Sequence, residues 1–570
     1  MDSPTDGASR TEAPLHPRQA DTFPTLSGEE VERIRPYGAT RRFAPGEALF
    51  EAGRPGPGMY LLLRGQVAVT LRDGLGRRQP LVEQGPGQFL AETGQISGRP
   101  ALVDAHAEGP VEAILVPPTG LRALLVAEAL LGERITRALI LRRVALIQSG
   151  RGGPLIVGAA DDAAVVRLAT FLDRSNHPYS VADPGDPVAA DLMAQYRPCR
   201  GPLPLVILPT GAVLHDPTIA DLGRALGLSG RAPARALFDV AIVGAGPAGL
   251  SAAVYAASEG LSVTILDAVG YGGQAGASMR IENYLGFPTG ITGRALAGRA
   301  FVQAEKFGAD IAFPARVTEL VGLGPSGPYR LDLADGGSVT ARTVVIASGA
   351  RYRRPAIPGI ERFEGRGIWY WASPLEARMC TGAEVALVGG GNSAGQAAVF
   401  LAGHAAKVNL LIRSDDLRRN MSQYLVDRIT ATANIAFCPG TTVTALDGDP
   451  AGHLAGLTWA CRRDGSTEHR PIRDLFLFVG ADPETSWARP CALELDGHGF
   501  VLTGAAVPGA AAGKPALEAS LPGVFAIGDV RAGSVKRVGG AIGEGAAVVA
   551  SIHAALASAG HSRAGDRRPT

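Results

Sequence analysis

The chain has 570 residues, enough for about three or four domains. Its 46% hydrophobic and 19% charged residues are ordinary for a globular protein, which excludes collagen-like and charge-rich disordered classes. A formal net charge of +1 provides no overall field that would attract nucleic acid or an anionic membrane, so neither is a predicted partner.

Both ends of the chain are polar and lack a hydrophobic pattern, so we predict disordered tails over residues 1–25 and 559–570. The chain does not open with a basic segment followed by an apolar one, and no secretory signal is predicted. Without a Cys-x-x-Cys pair, the sequence predicts neither a local dithiol nor a zinc site, and we expect a reducing cytoplasm. The five cysteines are Cys199, Cys380, Cys438, Cys461 and Cys491.

Residues 26–149 contain short apolar strands broken by Gly and Pro, followed by a helical segment. The segments "FAPGEALFEAG", "MYLLLRGQVAV" and "GPGQFLAETGQISGRPALVDAHA" resemble a cyclic-nucleotide-binding domain, a β-roll. That resemblance implies a Gly-Glu pair at the start of the phosphate cassette and an arginine on the cyclic phosphate. Glu92 holds the glutamate position, but Ala91 replaces the glycine, Ala101 replaces the arginine, and Arg99 lies two residues earlier. A degenerate sensor, interaction or dimerisation module is favoured, with a cyclic-nucleotide site as the alternative.

After the linker "SGRGGP", residues 154–229 follow the order β-α-β-α-β-β-α. This segment resembles a thioredoxin or glutaredoxin fold, with Pro204 at the position of the family's cis-proline. The resemblance implies a Cys-x-x-Cys after the first strand, yet "GAADDAAV" contains no cysteine. Cys199 is the only cysteine in this module. We expect a structural role for it, and the alternative is that it lies near a docking surface.

From residue 237 the chain is α/β, and it opens with "FDVAIVGAGPAGLSAAVYAASEGLSVTILD". Residues 240–258 carry no charge, but a GxGxxG with an internal proline favours a buried strand–turn–helix over a membrane span. Gly244 would make the tight turn, Gly246 would let the backbone approach a pyrophosphate, and Gly249 would allow helix–strand packing. The turn also contains Pro247 and Ala248, and its helix N-terminus would face the phosphates. Asp267 ends the second strand, where a carboxylate can bond the ribose hydroxyls. The alternative interpretation of the whole fingerprint is a tight strand–helix turn that binds no ligand.

A second fingerprint is "AEVALVGGGNSAGQAAVFLAGHAAKVNLLIR". Its second strand ends in a basic residue rather than an acid, which favours NADPH over NADH because arginines bind a 2′-phosphate bidentately. A solvated basic loop is the alternative. The predicted residues are Gly389, Gly391, Asn392, Ser393, Ala394, Arg413 and Arg418, with Arg419 adjacent.

Two dinucleotide sites, one nested inside the span of the other, resemble the two-dinucleotide flavoprotein reductases. The closer resemblance, over residues 237–558, is to low-molecular-weight thioredoxin reductase, on "YGGQ", "IENYLGFP", "VIASGA", "GGGNSA", "LFVGADP" and "GVFAIGDV". It implies an FAD domain over residues 237–355 and 475–558, an NADPH domain over 356–474, hydride transfer between the two cofactors, and a homodimer. The FAD contacts it implies are Gly273, Gln274, Asn283, Gly349, Gly528 and Asp529, with Lys536 and Arg537 as approximate equivalents of a further pair.

The family's Tyr-Cys-x-x-Cys-Asp segment is replaced here by "YWASPL", so that Trp371 and Pro374 stand at the cysteine positions. Neither residue can supply the attacking or resolving thiolate. The segment instead predicts a helix start, with Ser373 as N-cap, Pro374 as the first helical residue and Glu376 closing a capping box. Trp369, Tyr370 and Trp371 would pack in the core or beside a cofactor ring, and Cys380 is predicted to be a buried apolar residue.

The sequence therefore predicts an α/β multidomain protein with two Rossmann-like domains, preceded by a β-roll and a thioredoxin-like domain. The predicted function is an NADPH-dependent FAD oxidoreductase that passes electrons to a small molecule or a small redox protein without an internal Cys-x-x-Cys. The flavin would be the catalytic group, and no side chain has a predicted acid–base role. The alternatives are a disulfide reductase that uses scattered cysteines, for example Cys380 with Cys199, and a nucleotide or redox sensor.

Overall fold

The computed structural model describes residues 19–72, 78–186, 189, 193, 203–228, 235–324, 327–491 and 493–565. Cys199 lies outside these residues, and so does most of the helix predicted around residues 189–196. The chain forms two compact units, one built mainly from residues 1–154 and the other from the rest.

The first unit is a β-roll of two four-stranded antiparallel sheets, in the orders β1-β8-β3-β6 and β2-β7-β4-β5. Its strands bury alternate side chains, as in "VAVTLR", and so enclose an apolar core. The elements are α1 (Gln19–Thr22), α2 (Gly28–Ile34), β1 (Ala39–Phe43), β2 (Ala48–Phe50), β3 (Met59–Arg64), β4 (Val67–Arg72), β5 (Arg78–Gln84), β6 (Phe89–Leu90), α3 (Gly94–Ser97), β7 (Asp104–Ala107), β8 (Val111–Val116), α4 (Pro118–Ala127) and α5 (Ala129–Ser149).

The predicted tail over residues 1–25 is wrong at its C-terminal end. Residues 19–22 form α1, and Thr22 is buried. The carbonyl of Thr22 accepts a hydrogen bond from Arg142 Nε at 2.9 Å, and the Arg142 guanidinium lies over the ring of Phe23. These contacts attach the segment to α5, from the opposite end of the domain.

The second unit opens with a small sheet in the order β10-β9-β11-β12, in which β11 is antiparallel to β9 and to β12. The Leu203–Pro204 peptide bond is cis, as the resemblance to thioredoxin implies. Asp162 caps the first helix by accepting from the amide of Ala164. The elements are β9 (Leu155–Val157), α6 (Ala163–Arg174), β10 (Ser180–Ala182), β11 (Leu205–Ile207), β12 (Val213–His215) and α7 (Ile219–Ala225).

The outer domain follows, and its central strands β15-β14-β13-β18 are parallel, with β29 also parallel to β18. Strands β17 and β16 extend the sheet antiparallel. The elements are β13 (Phe238–Val243), α8 (Pro247–Ser258), β14 (Val263–Leu266), α9 (Gly273–Gly276), α10 (Gly293–Lys306), β15 (Asp310–Ala312), β16 (Val317–Gly322), β17 (Tyr329–Leu333), β18 (Ser338–Ile346), β19 (Ala350–Tyr352), and, after the insertion, β28 (Ala481–Pro483), β29 (Val524–Ala526) and α14 (Val538–Gly565).

The inserted domain contains a parallel sheet, β20-β27-β21-β22-β23, and a three-stranded antiparallel sheet, β24-β25-β26. Strands β19 and β28 pair with each other where the chain passes between the two domains. The elements are β20 (Ile368–Trp369), α11 (Pro374–Met379), β21 (Glu384–Val388), α12 (Asn392–Ala402), β22 (Lys407–Ile412), α13 (Gln423–Ala431), β23 (Ile435–Pro439), β24 (Thr441–Gly448), β25 (Leu454–Cys461), β26 (Thr467–Arg470) and β27 (Leu475–Leu477).

Two predicted boundaries need correction. The inserted domain does not end at residue 474, because β27 at Leu475–Leu477 pairs with β20 and β21 of its sheet. The predicted C-terminal tail does not begin at residue 559, because α14 continues to Gly565.

Helix α6 contacts both dinucleotide domains. Val166 belongs to the inserted domain's hydrophobic core, which also contains Trp369. Near the other end of the helix, Asp173 forms an ion pair with Arg294 of α10 at 2.9 Å. The module formed by β9–β12, α6 and α7 therefore contacts both the outer and the inserted domain.

Among the described residues, one helical segment, Val538–Ser558, is long and apolar enough to cross a membrane by composition alone. It packs closely on α8: a Cβ added to Gly545 would lie 2.5 Å from the Ala248 carbonyl oxygen. Ser251 Oγ also donates to the Ile542 carbonyl at 2.8 Å. One face of the helix is buried in this way, including Val548, Val549 and Ile552. The uncharged run at residues 240–258 forms β13 and α8, as predicted.

Candidate active site

The first fingerprint turn requires glycine at two positions. Gly244 has a φ of +112°, and a Cβ there would lie 2.2 Å from the Ala347 carbonyl oxygen. A Cβ on Gly249 would lie 1.9 Å from the Gly244 carbonyl oxygen. Pro247 is the first residue of α8, with Gly246 as N-cap.

Asp267 directly follows β14, and its carboxylate is fixed beside the turn. It accepts hydrogen bonds from the amides of Ala245 at 2.9 Å, Val269 at 2.9 Å and Gly270 at 3.0 Å. The carboxylate therefore lies beside the fingerprint turn, and its predicted bond to ribose hydroxyls stays a prediction.

A second glycine-containing segment approaches the turn closely, and it brings backbone rather than side chains to the predicted pyrophosphate position. A Cβ on Gly273 would lie 3.0 Å from the Cα of Gly246, so two residues without side chains face each other here. The N-terminus of α8 points its free amides into this region. The residues present therefore fit a dinucleotide such as FAD.

The segment Gly528–Val530 approaches the same turn from the end of β29. A Cβ on Gly528, whose φ is +71°, would lie 2.9 Å from the Cβ of Ala248. Burial raises the pKa of Asp529, and the positive charge of Lys536 opposes that effect. Gly528 donates its amide to Glu544, which also pairs with Arg531 at 2.6 Å. Sequence reasoning missed this pair, since nothing in the chain marks it.

The other predicted FAD residues are spread around this region. The side chain of Gln274 donates to the carbonyl of Ala350. Gly349 has a φ of +69° and precedes β19. Asn283 and Arg537 are exposed, and their roles stay predictions.

The second fingerprint has the same construction. Gly389 has a φ of +151°, and a Cβ there would lie 2.6 Å from the Phe478 carbonyl oxygen and 3.0 Å from the Cβ of Ala394. Gly391 is the N-cap of α12. The side chain of Asn392 donates to Ser422 Oγ at 2.9 Å and accepts from the backbone amide of Ser422 at 2.7 Å. These two bonds hold the start of α12 against the loop before α13.

Arg413 directly follows β22 and is exposed, with no hydrogen-bond or ion-pair partner among the described residues. The acids of this loop each face another arginine. Asp415 pairs with Arg462 at 2.9 Å, and Asp416 pairs with Arg418 at 3.9 Å. The guanidinium of Arg413 is therefore available to an external anion at the place where a 2′-phosphate is predicted.

A cavity of about 490 Å³ lies between the outer and inserted domains. Gln274 lines it from the outer domain and Ser393 from the inserted domain. Its described wall includes no cysteine and no histidine, but it does include four aromatic rings. These are Tyr352, Trp371, Phe400 and Phe478. Burial raises the pKa of Tyr352 to about 12, so its phenol stays neutral.

The segment that replaces the family's dithiol is held by a buried carboxylate. Glu376 accepts from Trp371 Nε1 at 3.0 Å, from the amide of Ser373 at 2.8 Å, and from Ser373 Oγ. Helix α11 begins at Pro374, so the predicted helix start is present, with the serine hydroxyl bonded to Glu376 itself. Burial raises the pKa of Glu376, and the bonds from Ser373 oppose that effect.

The two neighbouring tryptophans differ in burial, and a place beside a cofactor ring stays a prediction. Trp369 is buried in the core, and its indole donates to Asp474 at 2.8 Å. Trp371 is partly exposed and lines the cavity. Cys380 is fully buried, as predicted for a structural residue, and burial raises its pKa to about 12.

Replacing Glu376 by alanine should destabilise the inserted domain by about 1–3 kcal/mol, because partly buried donors of Trp371 and Ser373 would lose their acceptor. Urea unfolding followed by tryptophan fluorescence measures this change. Glu361→Ala, at an exposed position of the same domain, is the control and should shift stability by about 0.5 kcal/mol or less. Equal behaviour of the two variants would show that the Glu376 bonds do not support the segment.

Residues 238–545, more than half of the chain, match the family model described as pyridine nucleotide-disulphide oxidoreductase. The chain belongs to this family. Membership confirms the predicted enzyme class, an FAD-dependent NAD(P)H oxidoreductase with FAD and NADPH as cofactors. Residues 40–128 match the model of the cyclic nucleotide-binding domain, so the chain also carries such a domain near its N-terminus.

Thioredoxin reductase from Listeria monocytogenes is 32% identical over 314 residues, which are 54% of this chain and 91% of that protein. The F component of alkyl hydroperoxide reductase from Xanthomonas campestris pv. phaseoli is 31% identical over 55% of this chain, but the match spans only 56% of that relative. A solved structure of Lactococcus lactis thioredoxin reductase, in its FR conformation, superposes with a TM-score of 0.52. It is 26% identical and covers 56% of this chain and 99% of that one.

Proposed function

We propose that the chain is an NADPH-dependent FAD oxidoreductase that reduces a small, flat acceptor directly, without an internal dithiol. FAD, when bound, would supply the chemistry: it takes a hydride from NADPH and gives electrons to the acceptor. The protein would hold both cofactors, orient the acceptor and exclude water from the cavity between the outer and inserted domains.

One observation carries this proposal. Trp371 occupies the position of the first cysteine in the family's dithiol, and it lines the 490 Å³ cavity together with Gln274 and Ser393, which come from the two predicted cofactor sites. An indole cannot exchange thiols, but its flat face can stack on a planar ring. The wall also contains Tyr352 and Phe478, which favours an aromatic or quinone-like acceptor over a peptide disulfide.

The described residues would hold the cofactors through the two fingerprints. Gly246 and the N-terminus of α8 would face the FAD pyrophosphate, and Asp267 its ribose. Gly391 and the N-terminus of α12 would do the same for NADPH. Arg413 and Arg418 would bind the 2′-phosphate.

Disulfide reduction through scattered cysteines is the second candidate. It requires a thiolate within reach of the substrate. Cys380 is fully buried with a pKa of about 12, which opposes thiolate formation and attack. We infer that the bridging module built around α6 is a thioredoxin-like domain that has lost its own dithiol.

Replacing Cys380 by serine tests these two candidates directly. We expect the variant to oxidise NADPH with a benzoquinone acceptor at the wild-type rate, because Cys380 makes only core contacts. We expect neither protein to reduce an aromatic disulfide dye with NADPH. Dye reduction by the wild type that is lost in C380S would support the thiol route and overturn direct transfer.

A further inference from the structure

Helix α6, Ala163–Arg174, is long enough to reach from one dinucleotide domain to the other. Its 12 residues span about 18 Å. Its own module holds it firmly, because half of these residues are buried: Val165, Val166, Leu168, Ala169, Phe171 and Leu172. Contacts at its two ends therefore act on one closely packed element.

The N-terminal end of α6 packs on the inserted domain. Val166 is 6% exposed and joins the hydrophobic core of that domain. The Cβ atom of Ala163 lies 3.5 Å from the position of a Cβ on Gly365. Just before the helix, a carboxylate oxygen of Asp161 lies 3.8 Å from Nδ1 of His453. An apolar contact, a close approach of backbone and a polar pair thus fix this end.

The C-terminal end of α6 packs on the outer domain. Asp173 pairs with Arg294 of α10 at 2.9 Å, and both side chains are partly buried. The carbonyl oxygen of Arg174 lies 2.8 Å from the position of a Cβ on Gly270, so the loop approaches the helix closely because it has glycine there. The amide of Gly270 donates to Asp267 at 3.0 Å. This end therefore contacts the loop beside the first fingerprint.

The outer and inserted domains also meet at the cavity between them. Arg428 of α13 pairs with Glu282 of the outer domain at 2.7 Å, and both residues line the cavity. Tyr352 lines it too. Burial and the charge of Asp529 raise the pKa of Tyr352, whereas the positive charge of Arg174 opposes them. The last residue of α6 is thus close enough to this wall of the cavity to act on it electrostatically.

We propose that α6 is a strut that keeps the outer and inserted domains in this one arrangement throughout turnover. In this arrangement, residues of both predicted cofactor sites line one cavity. Hydride transfer requires reacting atoms within about 3–3.5 Å of each other, so a fixed arrangement favours it. The segment around Trp371 has no dithiol that would have to approach the flavin in a second arrangement. The inference concerns transfer from NADPH to FAD, and it does not depend on which acceptor takes the electrons.

A disulfide formed in the double variant Ala163→Cys, Gly365→Cys tests whether α6 stays on the inserted domain. The 3.5 Å between the two Cβ positions suits a disulfide, so oxidation with copper phenanthroline should form the bond. We expect the oxidised protein to bleach its flavin with NADPH, and to turn over with ferricyanide, within about twofold of the same protein after reduction with dithiothreitol. Comparing one protein in two states removes the strain that a cysteine adds at Gly365, whose φ is +74°.

Two outcomes of this experiment would overturn the proposal. A loss of about tenfold or more in the oxidised form, restored by dithiothreitol, would show that α6 must leave the inserted domain during turnover. Failure of the disulfide to form would show that the two positions are not held in contact. The single variants A163C and G365C are the controls, and their rates should not respond to oxidation.

The other end of the strut is tested by reversing its ion pair. Asp173→Arg places two positive charges together and should slow flavin bleaching at saturating NADPH by about three- to tenfold, with flavin occupancy and the circular dichroism spectrum unchanged. The double variant D173R/R294D restores an opposite pair and should return the rate to within about twofold of the wild type. Asp186→Arg, at an exposed position of the same module, is the control and should bleach at the wild-type rate. A wild-type rate in D173R, or a loss that the double variant does not restore, would contradict the strut.

Discussion

Replacing Gly249 by alanine should leave the protein unable to retain FAD. The added Cβ would lie 1.9 Å from the carbonyl oxygen of Gly244 and 3.2 Å from Cγ2 of Ile242. The first obstacle is backbone, so α8 must move away from β13, and its N-terminus would no longer face the pyrophosphate. We expect flavin occupancy and NADPH oxidation to fall by about 100-fold, which corresponds to about 3 kcal/mol of binding.

The measurement is the ratio of flavin to protein absorbance in the purified variant. Gly298→Ala is the matched control, since it also adds a methyl group to a helix of the outer domain. Its Cβ would meet nothing closer than 3.8 Å, so occupancy should stay at the wild-type value. Full flavin occupancy in G249A would show that the first fingerprint is not the FAD site.

Replacing Arg413 by glutamate should reverse the cofactor preference. A charge-assisted bond is worth about 1.5–3 kcal/mol, so losing it reduces kcat/KM for NADPH by about 10- to 150-fold, and repulsion by the new carboxylate adds to the loss. NADH lacks the 2′-phosphate, and its kcat/KM should change by about threefold or less.

Steady-state kinetics with each nucleotide and the same quinone acceptor measure this effect. Arg362→Glu controls for the change in charge, because it alters another exposed arginine of the inserted domain. An equal loss of kcat/KM with NADPH and NADH would mean that Arg413 stabilises the fold and does not bind the 2′-phosphate. The loop would then be the solvated basic surface that the sequence left open.

The fingerprint turns could be predicted from sequence because their conformation depends on residues that are close together along the chain. Gly244 and Gly389 have positive φ values, and the residues that follow them start helices within the same short segment. Spacing along the chain therefore determines which residue lies where. The capping role of Glu376 is local in the same way, since its partners, Ser373 and Trp371, lie within five residues of it.

Other features depend on contacts between distant segments, which one sequence does not specify. The strand Leu475–Leu477 is a short apolar run that would suit either dinucleotide domain, so its sheet could not be assigned. Arg142 meets Thr22 across 120 residues of chain, and the bond keeps the N-terminal segment on the β-roll. The ion pair between Asp173 of α6 and Arg294 likewise cannot be predicted from composition or periodicity.

The central claim is that the flavin is the only electron store in the chain. An anaerobic titration of the full-length, FAD-loaded protein with NADPH tests it, with flavin absorbance as the readout. We predict complete bleaching at about one equivalent of NADPH per FAD, because a hydride carries the two electrons that one flavin accepts. Bleaching that requires about two equivalents would reveal a reducible disulfide and contradict direct transfer to the acceptor.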